Sequence, residues 1–283
     1  MNPTALSAAD RSEKLSEQRV RASAHLGVRR LDGRTRLARL HQEGAAKIRM
    51  PASSGDPLEA VLINTAGGLT GGDRLDWHVE VGPDASAVVT TQACEKVYRA
   101  LAGHASVSAR LVVGDGGRIA WLPQETIVFD RSAFARRLEV DLGAGAEALI
   151  VEATVFGRLA MGESVRSARF SDRWRVRQGG KLIHAEDFSI GPDISTALGR
   201  RAVLSGSIAT ATLLLVSPDA RDRLAAVREI VGEEGGASAW SVAGSGKLLA
   251  RLFAQDSYSL RRRLGPLICL LNGEAGLPRV WSV

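Results

Sequence analysis

The most constraining feature of this sequence is a pattern that occurs four times: a short run of alternating residues, a glycine-containing turn, and a second apolar run that ends in a polar residue. The copies follow one another at a spacing of roughly thirty residues; they are HVEVGPDASAVVTTQA, ARLVVGDGGRIAWLPQE, RLEVDLGAGAEALIVEA and RWRVRQGGKLIHAED. In the third copy Leu138, Val140 and Leu142 alternate with Glu139 and Asp141, the period that is typical of a strand with one buried face. Each copy therefore predicts two strands joined by a tight turn.

A repeat of this length is typical of stacked architectures, in which each unit buries its apolar face against its neighbours. Because the unit reads as a β-hairpin-like pair, we predict a mainly β fold, a stacked β-sheet or β-solenoid-like body built from these repeats. The alternative is an antiparallel sandwich of hairpins, in which similar turn spacing arises by chance. The four copies keep their polar endings in register, which favours the stack.

The sequence before and after the repeats predicts further strands. ASAHLGVRRLDGRTRLARL reads as a hairpin that turns on Asp32–Gly33, EAVLIN as an apolar strand over 59–64, and IATATLLLV as a buried strand. Residues 1–20 are polar and predict a mobile arm. No Pro/Ser-rich linker divides residues 21–283, so we expect a single β-rich domain there.

Two helices are predicted near the C-terminus, at about 218–231 and about 257–272. Ser217, followed by proline, reads as the N-cap of the first helix, and Gly232 ends it. The second helix has a kink expected at Pro266. Its apolar stripe consists of Leu260, Leu264, Leu267, Ile268 and Leu271. Both helices should lie on the β-body as one cap.

The composition excludes several classes of protein. The 283 residues are 45% hydrophobic and 24% charged, ordinary values for a folded globular chain. No run of eighteen apolar residues predicts a transmembrane helix, and the polar N-terminus does not resemble a secretory signal. Cys94 and Cys269 are the only cysteines, which excludes a disulfide framework. We therefore expect a cytoplasmic protein.

The basic residues are dominated by arginine, with 32 Arg against five Lys and a net charge of +6. Arginine this abundant could indicate contact with nucleic acid, because the guanidinium binds phosphate through two hydrogen bonds. However, the arginines are scattered, and no stretch interleaves them with aromatic residues as a single-strand binder would. A nucleic-acid-binding module is kept as an alternative.

Sequence signatures of enzymes and of stable metal sites are missing. VAGSGKLL has Ser241 where a phosphate-binding loop needs its first glycine, and Leu248 where it needs a hydroxyl. There is no G-x-S-x-G nucleophile motif. The five histidines are isolated in sequence, without the spacing of a metal site. We predict no catalytic residues and no stable metal site.

A glycine-rich loop, NTAGGLTGGD, precedes the first repeat. Its four glycines, Gly67, Gly68, Gly71 and Gly72, allow positive φ angles and a close approach of the backbone to another group. No helix follows the loop, so an anion site is not predicted. The alternative is a tight connection between strands.

The polar endings of the repeats form a second feature. If the copies stack, these endings form one column near the inside of the body, made of Gln92, Gln124 with Glu125, Glu152 and Glu186. A buried carboxylate without a partner is costly, so each needs an arginine, water or a cation. The column could therefore be an ion path or a set of salt bridges.

Five sequence blocks in order resemble the urease accessory protein UreD family, called UreH in some bacteria. The blocks are GGLTGGD, EKVYR, WLPQETIVF, FGRLAMGE and LPRVW. The resemblance covers roughly residues 20–283, and the order of the blocks makes it specific. The sequence departs from a frequent family pattern at 64–66, where a His/Asn-Pro-Pro type of segment is common, and in its longer N-terminal arm.

The resemblance implies a non-enzymatic role in assembling the nickel centre of urease. Proteins of this family bind urease apoprotein and recruit the partner UreF and, through it, the GTPase UreG; the nickel metallochaperone UreE is a further partner. No cofactor is bound permanently, and nickel is in transit. The family fold is a helix-capped, solenoid-like β-body thought to hold a passage for nickel. Asp73 matches the aspartate of the GGD motif, and Glu152 and Glu186 match acidic positions associated with the passage; Glu125 of the same column is included in this hypothesis.

Two further hypotheses complete the prediction. Arg279 and Trp281, with the two helices, are expected to help build a surface for UreF, because both residue types are enriched at interface hot spots; alternatively, Trp281 plugs the end of the stack. An enzyme of the β-solenoid type acting on an acidic polymer, with paired carboxylates as acid and base, is the alternative from another class.

Overall fold

The computed structural model describes residues 19–51, 55–158 and 162–281. The arm predicted over 1–20 lies almost entirely outside these residues. The protein is mainly β, with 54% strand and 14% helix. The prediction of a stacked, β-solenoid-like body is confirmed: the stack has about four turns, with a helix near its C-terminal end.

The strands are numbered in chain order. They are β1 Arg21–Leu31, β2 Arg34–Glu43, β3 Ala46–Arg49, β4 Leu58–Asn64, β5 Arg74–Val81, β6 Ser86–Thr91, β7 Glu95–Val97, β8 Ala105–Val113, β9 Arg118–Leu122, β10 Thr126–Val128, β11 Ala133–Leu142, β12 Glu147–Phe156, β13 Arg169–Gln178, β14 Lys181–Ile190, β15 Ala209–Val216, β16 Gly235–Val242 and β17 Ser245–Ala254.

Two sheets face each other across the interior of the stack. Sheet A has the strand order β14-β13-β11-β8-β5-β1-β2, and sheet B has the main order β16-β17-β15-β12-β9-β6-β4-β3. The central strands of both sheets are parallel, and antiparallel strands extend the sheets at their edges. The predicted hairpin on Asp32–Gly33 joins β1 and β2, and the predicted strand at 59–64 is β4.

The unit of the stack differs from the predicted hairpin-like pair in the first three copies. In each copy the first strand lies in sheet A and the second in sheet B, as in β5 and β6, β8 and β9, and β11 and β12. Backbone hydrogen bonds therefore join equivalent strands of neighbouring copies and not the two strands of one copy. The turns between the sheets stack closely: a Cβ atom at Gly114 would lie 2.7 Å from the nitrogen of Pro83. Glycine is required there because the adjacent turn occupies the space.

The fourth copy does form the predicted hairpin. β13 and β14 pair antiparallel within sheet A and turn at Gly179–Gly180. Because β14 folds back into sheet A, the next strand of sheet B is β15, which pairs antiparallel with β12. The polar endings of the third and fourth copies consequently lie on different sheets.

Apolar side chains pack in three clusters. The first fills the space between the sheets and includes Trp77, Trp121 and Trp174. The second lies between the outer face of sheet B and the C-terminal helices, and the third, which includes Phe156 and Phe170, also contains residues of successive turns such as Leu69, Val97 and Val128. Along β12, alternate residues face the two sides, so the strand is buried on both.

The helices are α1 Ile194–Gly199, which was not predicted, α2 Leu224–Val231 and α3 Ser257–Asn272. The start predicted for α2 at 218 was wrong. Ser217 donates its hydroxyl to Asp219 at 2.6 Å instead of capping a helix, and residues 218–223 form turns. The prediction for α3 was correct, including its buried apolar stripe and the position of Pro266 inside the helix. No helix among the described residues is both long and apolar enough to cross a membrane.

Candidate functional site

A network of charged side chains lies in the interior of the stack. Arg136 on β11 and Asp172 on β13 point inward from sheet A, and Glu152 points inward from β12 of sheet B. All three are buried, with 5% of Glu152 and 7% of Arg136 exposed. The alternation of β12 explains the position of Glu152: Ala148 and Ile150 belong to the same inward face. The prediction that Glu152 lies inside the stack is confirmed.

Hydrogen bonds connect this interior network to its surroundings. The guanidinium of Arg136 donates to Glu152 Oε2 through Nη1 and to Asp172 Oδ2 through Nη2, the latter at 2.6 Å. Each carboxylate also accepts a hydrogen bond from an indole group. Trp121 Nε1 donates to Glu152 at 2.9 Å, and Trp174 Nε1 donates to Asp172 at 3.1 Å. One guanidinium nitrogen, Arg136 Nε, is buried and has no hydrogen-bond partner in the described part of the chain.

The interior network contains two carboxylates and one guanidinium. Burial raises the pKa of Glu152 above its usual range, and the neighbouring carboxylate of Asp172 adds to the rise, while Arg136 opposes it. For Arg136, burial alone would lower the pKa, but the two carboxylates raise it overall. The guanidinium therefore stays charged, and the excess charge of the network is negative when both carboxylates are ionised.

Glu186 does not join this network. It lies on β14 in sheet A, where it accepts a hydrogen bond from Arg251 Nη2 of β17 at 2.5 Å. The prediction that Glu152 and Glu186 are aligned in one column was wrong, because the hairpin of the fourth copy keeps β14 in sheet A. Gln92, the first member of the predicted column, is exposed. The arginine partner of Glu152 is Arg136, and that of Glu186 is Arg251.

Glu125 lies beneath α3 at the edge of a separate cavity. Arg261 of α3 donates to both carboxylate oxygens of Glu125 at 2.6 Å, and to Gln124 Oε1 at 2.8 Å. The thiol of Cys94 donates to Glu125 at 3.3 Å, and burial raises the pKa of that thiol to about 11. These groups line a cavity of about 720 Å³ whose rim includes Tyr258, which is 71% exposed.

The glycine-rich loop packs against the segment that follows it in the next turn of the stack. Gly67 and Gly68 have φ angles of 76° and 150°, which favour glycine. The loop is joined to this segment by backbone hydrogen bonds, among them Gly72 N to His104 O at 2.9 Å. The loop therefore packs closely against the chain itself, which agrees with the alternative that it is a tight connection between strands.

Asp73 ends this loop and is 4% exposed. Its Oδ1 accepts from the backbone N–H of Val20 at 2.9 Å, and its Oδ2 accepts from the backbone N–H of Thr70 at 2.7 Å. Both carboxylate oxygens are thus engaged in closing the loop and in tying it to the chain before β1. Asp73, which the family resemblance placed in the passage hypothesis, therefore has both carboxylate oxygens occupied by backbone N–H groups.

Arg279 and Trp281 have different environments, although both belong to the 3-10 turn Arg279–Trp281. Arg279 is exposed, whereas Trp281 is 5% exposed and belongs to the cluster between sheet B and the helices. Its indole donates to Thr90 Oγ1 at 3.0 Å and to Leu122 O at 3.2 Å. Trp281 therefore offers no surface to a partner, and it packs on the side of the stack, not at its end.

The structure also brings together three residues, His25, His78 and Glu80, that no sequence motif groups. His25 of β1 and His78 of β5 occupy paired positions in the parallel register, and Glu80 lies two residues beyond His78 on the same outward face. The proximity can be inferred from the sequence only once β1 and β5 are recognised as neighbouring strands, because the two histidines are 53 positions apart.

Comparison with known proteins gives a consistent result. A sequence model of the family described as UreD urease accessory protein matches residues 20–282. The chain is 68% identical over 266 residues to urease accessory protein UreD of Mesorhizobium japonicum, covering 94% of this chain and 95% of that protein. It is 59% identical over 273 residues to urease accessory protein UreD 1 of Brucella anthropi, covering 95% and 96%. The corresponding protein of Brucella melitensis biotype 1 is 59% identical over 269 residues, covering the same shares.

Proposed function

This chain belongs to the UreD urease accessory protein family and thereby has a role in urease maturation, and from that premise we propose that it is a non-enzymatic scaffold that binds urease apoprotein and supports the insertion of nickel. UreF and the GTPase UreG are the proposed partners, with UreE as a source of nickel. The segment VAGSGKLL, which partly resembles a phosphate-binding loop, does not bind nucleotide in this proposal. Its lysine, Lys247, is buried and donates to Ile183 O at 2.5 Å. GTP hydrolysis is assigned to the partner.

The observation that carries the nickel part of this proposal is the charge of the interior network. Glu152 and Asp172 share the guanidinium of Arg136, so one negative charge has no cationic partner within the described part of the chain when both carboxylates are ionised. A divalent cation would be attracted to that charge, while Arg136 would keep it from binding tightly. Weak attraction suits an ion in transit, because Ni²⁺ lies high in the affinity order of divalent metals and is held strongly by clustered histidine or cysteine ligands.

The proposed passage therefore centres on Glu152 and no longer includes Glu125, Glu186 or Asp73. Glu125 and Glu186 each have an arginine partner, Arg261 and Arg251, and Asp73 is occupied by backbone N–H groups. In this proposal these three carboxylates support the surrounding structure. An enzyme acting on an acidic polymer would need a pair of carboxylates on an open groove, whereas Glu152 and Asp172 are enclosed between the sheets.

The UreF surface is proposed to include Arg279 and the neighbouring end of α3. Arg279 is exposed on a turn anchored by the buried Trp281, and Tyr258 at the start of α3 is also exposed. An aromatic ring and a guanidinium presented on rigid elements are typical of interface hot spots. UreG would reach the complex through UreF.

The test uses a strain that lacks this gene and is complemented with variants. Urease purified from the deletion strain should be abundant, inactive and poor in nickel, as measured by elemental analysis; a normal nickel content would contradict the maturation role. Complementation with Glu152→Gln should lower the nickel content while the variant still folds and co-purifies with UreF. Glu147→Gln is the matched control, since Glu147 begins the same strand on the side facing away from the network. Full nickel loading with Glu152→Gln would contradict the passage alone, and a large loss of melting temperature would assign Glu152 to the fold.

A further inference from the structure

The outer face of sheet A carries a compact group of two histidines and one glutamate. The parallel register of β1 and β5 places His25 beside His78, and their rings stack with centroids 4.3 Å apart and planes 10° apart. Glu80 lies opposite Gly27, which has no side chain, so that nothing on β1 separates its carboxylate from His25. This group is formed by the stacking of two turns and is invisible in either strand alone.

The ligand atoms of this group converge. His25 Nε2 lies 3.3 Å from Glu80 Oε2, His78 Nε2 lies 3.3 Å from Glu80 Oε1, and one ligand atom from each of the three residues lies within 4.8 Å of the others. Both ring nitrogens are buried atoms, yet neither has a hydrogen-bond partner among the residues that the structure describes. The two imidazole nitrogens therefore lie close to one carboxylate without forming a hydrogen bond to it.

The spacing and the chemistry of these atoms fit a bound metal ion. An ion with ligand distances of about 2.1 Å in tetrahedral geometry holds its donor atoms roughly 3.4 Å apart, close to the two distances between ring nitrogen and carboxylate. Imidazole and carboxylate donors suit Ni²⁺ and Zn²⁺, whereas Mg²⁺ and Ca²⁺ prefer oxygen ligands alone. We propose that His25, His78 and Glu80 form a surface binding site for a first-row transition-metal ion, Ni²⁺ or Zn²⁺.

The site lies at the surface of sheet A. The side chains of His25, His78 and Glu80 are 13%, 36% and 47% exposed, although the two ring nitrogens themselves are buried atoms. Two arginines on the neighbouring strands lie beside the site: Arg39, whose position on β2 pairs with Gly27, and Arg110, whose position on β8 pairs with His78. The guanidinium of Arg110 contacts Asp141 at 3.3 Å, which offsets part of its repulsion toward a bound cation.

This site is independent of the proposed passage. Its three residues face outward from sheet A, whereas Arg136, Glu152 and the rest of the interior network face inward. Binding at the surface site can therefore be tested on the isolated chain without urease. If no metal binds at the surface site, the proposed role in nickel transit is unaffected. If that role is contradicted, the proposal of the surface site is unaffected.

The first experiment measures metal binding by equilibrium dialysis of the untagged full-length chain against NiCl₂ and, separately, ZnCl₂. The wild type should bind one more ion than the double variant His25→Gln/His78→Gln. Glu80→Gln should weaken the affinity for that ion at least tenfold. His104→Gln is the matched control, because His104 is an exposed histidine outside the group. Binding of MgCl₂ at this site should be undetectable. Equal stoichiometry in the wild type and the folded double variant would overturn the proposal.

The second experiment counts the histidine ligands directly and does not need the double variant to fold. Cu²⁺ bound to the wild type should give an electron paramagnetic resonance spectrum with hyperfine coupling to two imidazole nitrogens, and the single variants His25→Gln and His78→Gln should each show one. Glu152→Gln should leave the two-nitrogen spectrum unchanged. A wild-type spectrum without imidazole coupling would show that His25 and His78 form only an ion pair with Glu80, and would overturn the metal site.

Discussion

Arg136 of sheet A donates a hydrogen bond to Glu152 of sheet B across the interior of the stack. This contact links the two sheets at a level where their other inward side chains are largely apolar. A buried ion pair of this kind contributes little net stability when it is complete, but the removal of one partner leaves a buried charge uncompensated. The behaviour of the network therefore depends on which member is changed.

Replacing Arg136 should be the most damaging change in the network. Arg136→Met leaves Glu152 and Asp172 buried without their cation, and we expect the free energy of unfolding to fall by about 3–5 kcal/mol. Arg137→Met is the control on the next position of β11, where the side chain is exposed and its ion pair with Glu139 spans 4.0 Å; it should change stability by less than about 0.5 kcal/mol. Urea denaturation of both variants makes the comparison, and equal losses would contradict the role given to Arg136.

Asp73 should act as a structural residue of the glycine-rich loop. In Asp73→Asn only one side-chain oxygen remains for the two backbone N–H groups of Val20 and Thr70, so we expect a loss of about 1–3 kcal/mol. Asp76→Asn is the matched control, because Asp76 is more exposed and pairs with the exposed Arg74. If Asp73→Asn unfolds at the same denaturant concentration as the wild type, the carboxylate is not needed to close the loop.

The positions of these residues were predictable to the extent that strand alternation determines them. The period of two placed Glu152 inside the stack, since Ala148, Ile150 and Glu152 share one face of β12. Its partner was not predictable, because the pairing of Arg136 with Glu152 depends on how two sheets face each other. Local sequence patterns carry no information on that relationship.

The incorrect alignment of Glu186 has a cause that is visible in the turns. The first three copies cross between the sheets through longer turns, whereas the fourth turns on Gly179–Gly180, where both φ angles are positive at 53° and 77°. Two residues with positive φ are typical of the type I′ turn of a tight hairpin. The short glycine pair was thus a signal that β14 would return to the same sheet, and it was not distinguished from the other turns.

The stability of the protein should depend on pH through Glu95. Burial raises the pKa of Glu95 to about 7, although Asn64 Nδ2 donates to both of its carboxylate oxygens and opposes the rise. The unfolded chain loses this proton near pH 4.5 and the folded chain near 7, so the unfolded state binds fewer protons between these values. Stability from this group is therefore present below about pH 4.5 and is lost as the pH rises to about 7.

The corresponding measurement compares the wild type with Glu95→Gln, which carries no titrating carboxyl. The free energy of unfolding of the wild type, relative to Glu95→Gln, should fall by about 2–3 kcal/mol between pH 4.5 and 7.5. Glu43→Gln serves as a control at an exposed position and should show no such trend. A constant difference across the range would mean that Glu95 titrates normally in the folded protein.

Arg279 and Trp281 should separate partner binding from folding. Trp281→Ala removes a buried indole and its hydrogen bonds to Thr90 and Leu122, so we expect a loss of about 3–5 kcal/mol, measured as a lower melting temperature and denaturation midpoint. Arg279→Ala removes an exposed side chain and should leave the melting temperature within a few degrees of the wild type, because surface substitutions usually change stability by less than about 0.5 kcal/mol.

The same two variants test the proposed UreF surface. Arg279→Ala should fold normally yet retain less UreF in co-purification, with at least a tenfold weaker affinity if Arg279 is a hot spot worth about 1.4 kcal/mol or more. Arg262→Ala on α3 provides a comparison with another exposed arginine. Unchanged retention of UreF by Arg279→Ala would place the contact elsewhere. If instead Trp281→Phe, which keeps the ring but loses the indole N–H, weakened UreF binding without lowering the melting temperature, the assignment of Trp281 to the fold would be wrong.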